Sequence, residues 1–383
     1  MENHYNPTEI IFGEKSLERL PEVAKRFKFK KVFLVTGRNS SDSSGLTNKV
    51  ADYIGELQQY KVNPNPTTFD IEQGISIIEK GMPYLFIGLG GGSAIDTAKA
   101  ISVLSKNKGL VANYQDKKLQ IKNRGHPLIA IPTTAGTGSE VTPYSSLMKA
   151  DKTKASIAHN FLYPNVAIID PELTYNSPKE VIACSGMDAL CQAIESFWSV
   201  NATEESKEYS GEAIHLALDN LTSAVNNPNL ENRTAMLKSS HLAGKAISIA
   251  KTTAAHSLSY PFTSYHDISH GHAVMLTLPY FFEINEHTNN RNIQKKEGFT
   301  VEYARKTFDE LLKILNVRNG TEAKGKLINL MNEIGLERSL RKLNVSQNDL
   351  QNIVDNGFNP QRVVNNPVVV TQEHVWKILK IIL

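Results

Sequence analysis

The sequence predicts an α/β amino-terminal domain with a parallel sheet, followed by an all-α carboxyl-terminal domain. Up to about residue 178, short apolar runs alternate with segments of helical spacing. This alternation is typical of parallel strands that are covered on both faces by helices. Beyond that residue the spacing is helical. A chain of 383 residues is too long for one ordinary core, so we expect domains at residues 1–178 and 179–383.

The elements of the amino-terminal domain follow from these runs. Continuous apolar stretches predict four buried strands: Lys31–Thr36, Tyr84–Leu89, Pro127–Ile131 and Val166–Asp170. Helical spacing predicts helices at Asn48–Tyr60 and Ala94–Leu104. Strands and helices that alternate in this way indicate βαβ units.

The carboxyl-terminal domain is predicted to be helical from Glu180 to Ile249, with one Asn/Pro break at residues 225–229. Further helices are expected at residues 301–315, 324–334, 346–355 and 372–383. The sequence has no internal repeat and no low-complexity linker. We therefore expect a tight junction near residue 178 with a cleft, which is a common place for an active site.

Composition excludes several classes of protein. The net charge is only +3 and the basic residues are scattered, which argues against a nucleic-acid partner. No apolar run approaches the roughly 18–20 residues of a membrane span, and the first residues do not resemble a signal peptide. Cys184 and Cys191 are expected on one helix about 10 Å apart, beyond disulfide reach. These features predict a soluble, cytoplasmic protein.

Two glycine-rich segments predict a nucleotide site. The first follows a predicted strand and opens a helix, and its candidate contacts are Gly91, Gly92, Ser93 and Asp96. Glycines let the backbone approach a pyrophosphate, and the helix amino terminus favours the anion. Taken alone, this segment could be a plain glycine turn. The second, residues 131–140, also leaves a strand and is dense in hydroxyls and glycines, so we expect one nucleotide crevice at consecutive strand ends.

An acid and two histidines predict a metal site. Asp188 lies in an apolar helical segment, where an unpaired charge is costly to bury. His256 and His270 are fourteen residues apart further along the chain. A carboxylate with two imidazoles suits Fe²⁺, Zn²⁺ or a similar divalent ion and leaves positions open for substrate.

Five segments, in order, resemble the iron-containing (group III) alcohol dehydrogenases. They are Gly90–Ser93, Pro132–Glu140, Asp170–Thr174, Gly186–Leu190, and His256 with His270-Gly271. The likeness runs from about Ile10 to the end of the chain. It implies a nicotinamide nucleotide in the first domain, a divalent metal in the helical domain, and aldehyde–alcohol interconversion in the cleft between them.

The resemblance also implies roles for individual positions. Asp188, His256 and His270 correspond to metal ligands. Lys154 corresponds to a lysine near the nicotinamide ribose, and Asn65 to the start of an Asn-Pro turn beside the nucleotide. The remaining nucleotide contacts implied are Gly91, Gly92, Ser93, Thr133, Thr134 and Thr142.

Three positions depart from the family pattern. The usual fourth ligand, a histidine four residues after the aspartate, is here Gln192, which stays on the same helical face and could ligate weakly or orient a water. This change moves the expected metal toward Zn²⁺ or leaves Fe²⁺ and Zn²⁺ open. A family histidine assigned to proton relay is here Tyr260, so Tyr260, His266 or water could carry the proton. The acid usual after the second strand is absent, and Gly37-Arg38 in its place permits NADP(H) as well as NAD(H).

The substrate is expected to be a small aldehyde or alcohol. Residues 187–206 resemble most the phosphonoacetaldehyde reductase branch of the family, which implies reduction of phosphonoacetaldehyde to 2-hydroxyethylphosphonate. Sulfoacetaldehyde and simple short-chain alcohols are the alternatives. A lyase related to dehydroquinate synthase, or a non-catalytic nucleotide-binding module, are competing classes. The family also suggests a homodimer or larger homo-oligomer.

Other polar and aromatic residues near these motifs have plainer interpretations. Glu195 is expected on the helix surface or as an outer partner of the site, with no catalytic role. Phe197-Trp198 is expected to pack in the core rather than to line a substrate pocket. His272 is either an outer partner of the metal site or incidental.

Overall fold

A computed structural model describes residues 6–38, 42, 44–358 and 363–383. The fold divides into two compact units, one that ends at Ser177 and one that spans Pro178–Leu383.

The first unit is built on a parallel sheet with the strand order β1-β8-β5-β4-β2-β3. Neighbouring strands of this sheet pair in parallel. Its strands are β1 (Glu9–Phe12), β2 (Lys31–Gly37), β3 (Leu57–Val62), β4 (Tyr84–Gly90), β5 (Leu128–Pro132) and β8 (Val166–Ile169). A separate antiparallel pair consists of β6 (Tyr144–Met148) and β7 (Lys154–Ala158).

The central strands are apolar because both faces of the sheet are covered. Phe33 and Val35 of β2 belong to one buried cluster, whereas Val32 and Leu34 belong to another. Alternate residues of a strand point to opposite faces, so a strand between two clusters must be apolar at every position. The helices of this unit are α1 (Leu20–Ala24), α2 (Leu46–Ile54), α3 (Thr68–Ser76), α4 (Gly92–Leu104) and α5 (Val111–Gln115).

Local differences from the sequence prediction have identifiable causes. The helix expected at Asn48–Tyr60 ends at Ile54, because Gly55 adopts φ 84° and terminates it. Residues 57–60 belong instead to β3, so that part of the prediction was wrong. Strand β1 and the β6–β7 pair were not predicted at all.

The second unit is helical. Its helices are α6 (Lys179–Trp198), α7 (Glu204–Asn226), α8 (Leu230–Ala250), α9 (Ala254–His266), α10 (His270–Glu286), α11 (Val301–Ile314), α12 (Gly320–Glu333), α13 (Leu350–Gly357) and α14 (Gln372–Ile382). A break between α6 and α7 had not been predicted, and Thr203 caps the start of α7. A parallel-sheet α/β unit followed by a helical unit confirms the predicted fold class.

Two further predictions from the sequence concern residues of α6. Cys184 and Cys191 are both buried and free, as expected. Phe197 and Trp198 are buried in the core, also as expected. Among the described residues, no helix combines the length and apolar character needed to cross a bilayer.

Candidate functional site

The topology of the sheet points to one place for a ligand in the first unit. Strands β2 and β4 are neighbours, but the chain continues from β2 to β3 on one side and from β4 to β5 on the other. Such a reversal opens a crevice at the carboxyl ends of the two strands, where open α/β sheets bind ligands. The predicted glycine loop follows β4, and Gly37 ends β2.

The two predicted nucleotide loops pack against each other at this edge. Gly90 has φ +146°, a conformation that L side chains rarely adopt. A Cβ on Gly92 would lie 2.7 Å from the Thr137 side chain, and a Cβ on Gly91 would lie 3.1 Å from Thr134 Oγ1. Gly92 therefore allows the close approach of the two loops, and Gly91 lies in tight contact with the second loop. Because α4 begins at Gly92, its free amino-terminal N–H groups face this edge, where they suit an anion.

Asn65, Ser93 and Lys154, which are far apart in sequence, meet beside the first loop. The Asn65 backbone N–H donates to Ser93 Oγ over 3.3 Å, and Lys154 Nζ donates to Asn65 Oδ1 over 3.3 Å. Asn65 adopts φ 55°, as residues of tight turns often do. We call residues 90–93 and 133–137, together with Asn65 and Lys154, the nucleotide cradle. Thr133 and Thr134 are half-buried in it.

Asp96 and Thr142 hold the second loop from inside. The carboxylate of Asp96 accepts hydrogen bonds from the Ser139 hydroxyl and, over 2.8 Å, from the Ser146 backbone N–H. Thr142 is buried, and its Oγ1 accepts from Lys99 Nζ over 3.1 Å. Asp96 and Thr142 were both predicted to contact the nucleotide, and the hydrogen bonds described here join them to neighbouring protein groups. They support the cradle from behind.

Lys99 is a supporting residue that the sequence did not reveal. It is fully buried, and its Nζ also donates to Ser139 Oγ, Thr142 O and Tyr144 O. Burial lowers the pKa of Lys99 to about 8, although the nearby Asp96 carboxylate opposes the shift. The feature of the sequence that could have identified Lys99 is its position on α4, three residues after Asp96.

The second unit brings the predicted metal ligands together. Asp188 of α6, His256 of α9 and His270 of α10 each offer a ligand atom, and these atoms lie within 4.8 Å of one another. His256 Nε2 is 3.4 Å and His270 Nε2 is 3.9 Å from Asp188 Oδ1. A tetrahedral ion with bonds of about 2.1 Å separates its ligands by roughly 3.4 Å. We call these three residues the metal cluster.

The close packing of two helices makes this convergence possible. A Cβ on Gly271 would lie 2.0 Å from Cys184 O and 2.7 Å from Asp188 N. Only glycine lets the start of α10 approach the backbone of α6 so closely. Asp267, at φ 55°, reverses the chain between α9 and α10. His256 and His270 thereby come to the same side as Asp188.

The donor atoms of the cluster fit a divalent cation. Among the described residues, Asp188 Oδ1, Gln192 Oε1 and His256 Nε2 are buried and have no hydrogen-bond partner. Gln192 Nε2 donates to Asp188 Oδ2 over 3.0 Å, and only the amide nitrogen can face a carboxylate in this way. Buried polar atoms without partners are costly, and a cation shared between them would remove the cost.

Glu195 supports the metal cluster through His256. It is fully buried, so of the two positions expected for it the helix surface is wrong and the outer partner of the site is confirmed. Its carboxylate accepts from His256 Nδ1, from Thr253 Oγ1 over 2.5 Å and from the Ala255 backbone N–H over 2.8 Å. It therefore caps the start of α9 and orients the His256 ring with Nε2 toward the cluster. The feature of the sequence that could have identified Glu195 is the i, i+4, i+7 spacing of Asp188, Gln192 and Glu195, which places all three on one face of the helix.

The carboxylates also set the charge of the cluster. Burial alone would raise the pKa of Asp188, but the His270 and His256 imidazoles hold that pKa below its ordinary value. Burial alone would lower the pKa of His256, but the charges of Glu195 and Asp188 raise it to about 10. Without metal, the buried carboxylates thus retain a proton on His256. A divalent cation would displace this proton.

The candidates for proton transfer are placed differently. The Tyr260 ring stacks on the His270 ring, with centroids 5.9 Å apart and an interplanar angle of 5°. His266 ends α9. His272, which was expected as an outer partner of the metal site or as incidental, has its Nε2 2.6 Å from Glu337 O. Tyr260 is therefore the candidate in contact with the metal cluster.

Models of known families match both units of the chain. Residues 7–171 match the family described as iron-containing alcohol dehydrogenase. Residues 182–383 match the carboxyl-terminal model of the Fe-containing alcohol dehydrogenase family.

Individual relatives agree with these matches. Long-chain-alcohol dehydrogenase 1 of Geobacillus thermodenitrificans is 35% identical over 70% of this chain and 69% of its own length. Sulfoacetaldehyde reductase of Bilophila wadsworthia is 27% identical over 98% of each chain. The crystal structure of sulfoacetaldehyde reductase from Bifidobacterium kashiwanohense with NAD⁺ has a TM-score of 0.86 and 31% identity, and the match covers 100% of this chain and 98% of that one.

Proposed function

Because the chain belongs to the iron-containing alcohol dehydrogenase family, and is thus an oxidoreductase, we propose that it reduces phosphonoacetaldehyde to 2-hydroxyethylphosphonate. The reductant is NAD(P)H, and the metal is one Fe²⁺ or Zn²⁺ ion. The observation that supports metal-dependent reduction is the convergence of Asp188, His256 and His270, with buried polar atoms of this centre lacking partners. The choice of phosphonoacetaldehyde rests on the resemblance of residues 187–206 to that branch of the family. Family membership favours a dehydrogenase over both the lyase and the non-catalytic module.

The residues of the second unit would hold the metal and tune it. Asp188, His256 and His270 are its ligands in this proposal, and Gln192 Oε1 is a fourth, weaker one. When bound, a divalent ion supplies Lewis-acid polarisation of a carbonyl oxygen. Glu195 holds His256 Nδ1, which leaves Nε2 for the ion. Gln192 Nε2 holds Asp188 Oδ2, which leaves Oδ1 for the ion.

The residues of the first unit would bind the dinucleotide. A nicotinamide nucleotide supplies the hydride when bound. Backbone N–H groups of Gly91, Gly92 and Ser93 at the start of α4 suit its pyrophosphate. Asn65 and Lys154 flank that position and would contact the ribose. Asp96 and Thr142 contribute by fixing the second loop.

The product hydroxyl needs a proton, for which Tyr260 is the first candidate. Its ring stacks on His270, so it lies beside the proposed metal ligand. A phenol can donate or accept a proton through one atom, as general acid–base transfer requires. His266 and water remain the alternatives. The homo-oligomeric state and the cytoplasmic location stay predictions.

Sulfoacetaldehyde is the second candidate substrate, and a specific observation favours it. Two relatives that align over almost the whole chain are sulfoacetaldehyde reductases. Phosphonate and sulfonate groups are close in shape, so both aldehydes present an anion two carbons from the reacting oxygen. Rates with phosphonoacetaldehyde, sulfoacetaldehyde and butyraldehyde, followed by NADH or NADPH absorbance, separate the candidates. A preference for the uncharged butyraldehyde would refute both anionic substrates.

The metal centre is tested by His256→Ala and His270→Ala. Each should lower bound metal, measured by elemental mass spectrometry, and reduce turnover by orders of magnitude. His215→Ala, which removes an exposed histidine on α7, is the matched control and should change neither quantity. Full activity in enzyme stripped of metal would rule out this metal-dependent mechanism.

A further inference from the structure

A charged network lies at the carboxyl ends of β2 and β3. Asp42 Oδ2 forms an ion pair with Lys61 Nζ. Asp42 Oδ1 accepts from Thr47 Oγ1 over 2.8 Å and from Gln59 Nε2 over 3.0 Å. Both oxygens of this carboxylate are therefore engaged by neighbouring side chains.

The network is tied to the end of β2, which borders the crevice at the switch point. Lys61 pairs in register with Thr36, the residue before Gly37-Arg38. Gln59 Nε2 also donates to Thr36 Oγ1 over 3.1 Å. In dinucleotide sites, an acid placed beyond the second strand binds the ribose 2′-hydroxyl of NAD(H), and a basic residue there accommodates the 2′-phosphate of NADP(H). Asp42 is an acid in this region, although the sequence around Arg38 had indicated that none was present.

The charge of Asp42 is compensated where it stands. The hydrogen bond from Lys61, followed by those from Gln59 and Thr47, lowers the pKa of Asp42 to about 2. The carboxylate is therefore ionised at neutral pH and is paired with the Lys61 ammonium. With that pair neutral, exposed Arg38 leaves the end of β2 with a net positive charge.

We infer that Lys61 determines the nucleotide preference by neutralising Asp42, so that this edge accepts the 2′-phosphate of NADP(H) as well as the 2′-hydroxyl of NAD(H). The inference rests on the proposed nucleotide site and assigns its preference to a residue of β3. Without Lys61, a bare carboxylate would repel a 2′-phosphate. One added like charge several ångströms away near a protein surface weakens binding by about tenfold.

The test compares two fragments of the dinucleotides, adenosine 2′,5′-bisphosphate and 5′-AMP, by calorimetric titration of the full-length protein. Lys61→Met should weaken binding of the bisphosphate by about tenfold and leave 5′-AMP within about twofold. Asp42→Asn added to Lys61→Met should restore bisphosphate binding, because it removes the uncompensated charge.

Lys31→Met is the matched control. Lys31 forms an ion pair with Glu79, and its side chain is 42% exposed, compared with 43% for Lys61. It begins β2, at the opposite end of the strand from Gly37, so its loss should alter neither fragment's affinity. Both ion pairs are exposed, and the variants should fold as the wild type does, which circular dichroism checks.

Each result decides a separate point. If Lys61→Met changed the affinity for both fragments equally, or changed neither affinity, the inference would be overturned while the nucleotide site remained intact. Binding of 5′-AMP with exclusion of the bisphosphate by the wild type would overturn it as well. Failure of both fragments to bind would refute the nucleotide site itself, and the inference with it.

Discussion

Gly271 is the position at which a single methyl group should dismantle the metal cluster. The Cβ of Gly271→Ala would meet Cys184 O at 2.0 Å and Asp188 Cβ at 2.7 Å. Carbon and carbonyl oxygen normally approach no closer than about 3.3 Å, so the start of α10 would have to retreat by about 1.3 Å. Backbone atoms of α6 stand in the way, and they cannot swing aside as a flexible side chain would.

The retreat has a cost in stability and a cost in metal binding. Overpacking a close contact costs about 1–3 kcal/mol, and a clash with backbone belongs at the upper end. For a domain of 150–250 residues, about 3 kcal/mol corresponds to a fall of roughly 6–12 °C in the thermal midpoint. His270 is adjacent to Gly271 and its Nε2 would move with it, although metal–ligand distances tolerate only about 0.2 Å. We expect metal affinity to fall by at least roughly 10–100-fold.

Gly325→Ala is the internal control, because it makes the same chemical change in the opposite setting. Gly325 lies within α12, and no heavy atom lies within 4 Å of a Cβ built there. Alanine in an open helix position stabilises by about 0.5–1 kcal/mol relative to glycine. Thermal denaturation of the metal-free protein measures the stability of both variants, and competition with a chromogenic chelator measures their metal affinity. If Gly271→Ala matched Gly325→Ala in both assays, the packing argument for the metal cluster would be wrong.

Two further predictions concern other buried groups. Glu195→Gln should lower metal affinity by about 10–100-fold with little loss of helix content, because His256 Nδ1 loses its carboxylate; unchanged metal affinity in chelator competition would contradict this. Burial lowers the pKa of His126 to about 4, whereas an unfolded histidine titrates near 6.5. The unfolded chain therefore binds more protons between these values, and the free energy of unfolding should fall as the pH drops from about 6.5 to 4. His126→Phe, which keeps the stack on Phe86, should flatten this dependence in urea titrations at several pH values; an equally steep dependence in the variant would refute the assignment.

The local structure of the cradle could be predicted because its signals are local. Continuous apolar runs identified β2, β4, β5 and β8 to within a residue or so. The glycine loop before α4 was recognised from its sequence alone. The helix expected to continue to Tyr60 failed for an equally local reason, since Gly55 reverses the backbone there.

The supporting residues were much harder to predict. Glu195 acquires its role from the start of α9, with its bond to Ala255 spanning 60 residues of sequence. Asp42 acquires its partner Lys61 only when β3 is laid beside β2. Neither partner can be identified from the sequence, so the role of Glu195 was left open between the helix surface and the site, and Asp42 was overlooked.

The sequence by itself determined the fold class, the strands β2, β4, β5 and β8, and the residue types able to bind a nucleotide and a metal. Hydrophobic period and backbone freedom are properties of neighbouring residues, so they can be read without a structure. The tertiary structure alone decided which of those residues meet. Close contact of α10 with α6 at Gly271 brings His270 to Asp188. That contact depends on the packing of helices far apart in the chain, which no local pattern encodes.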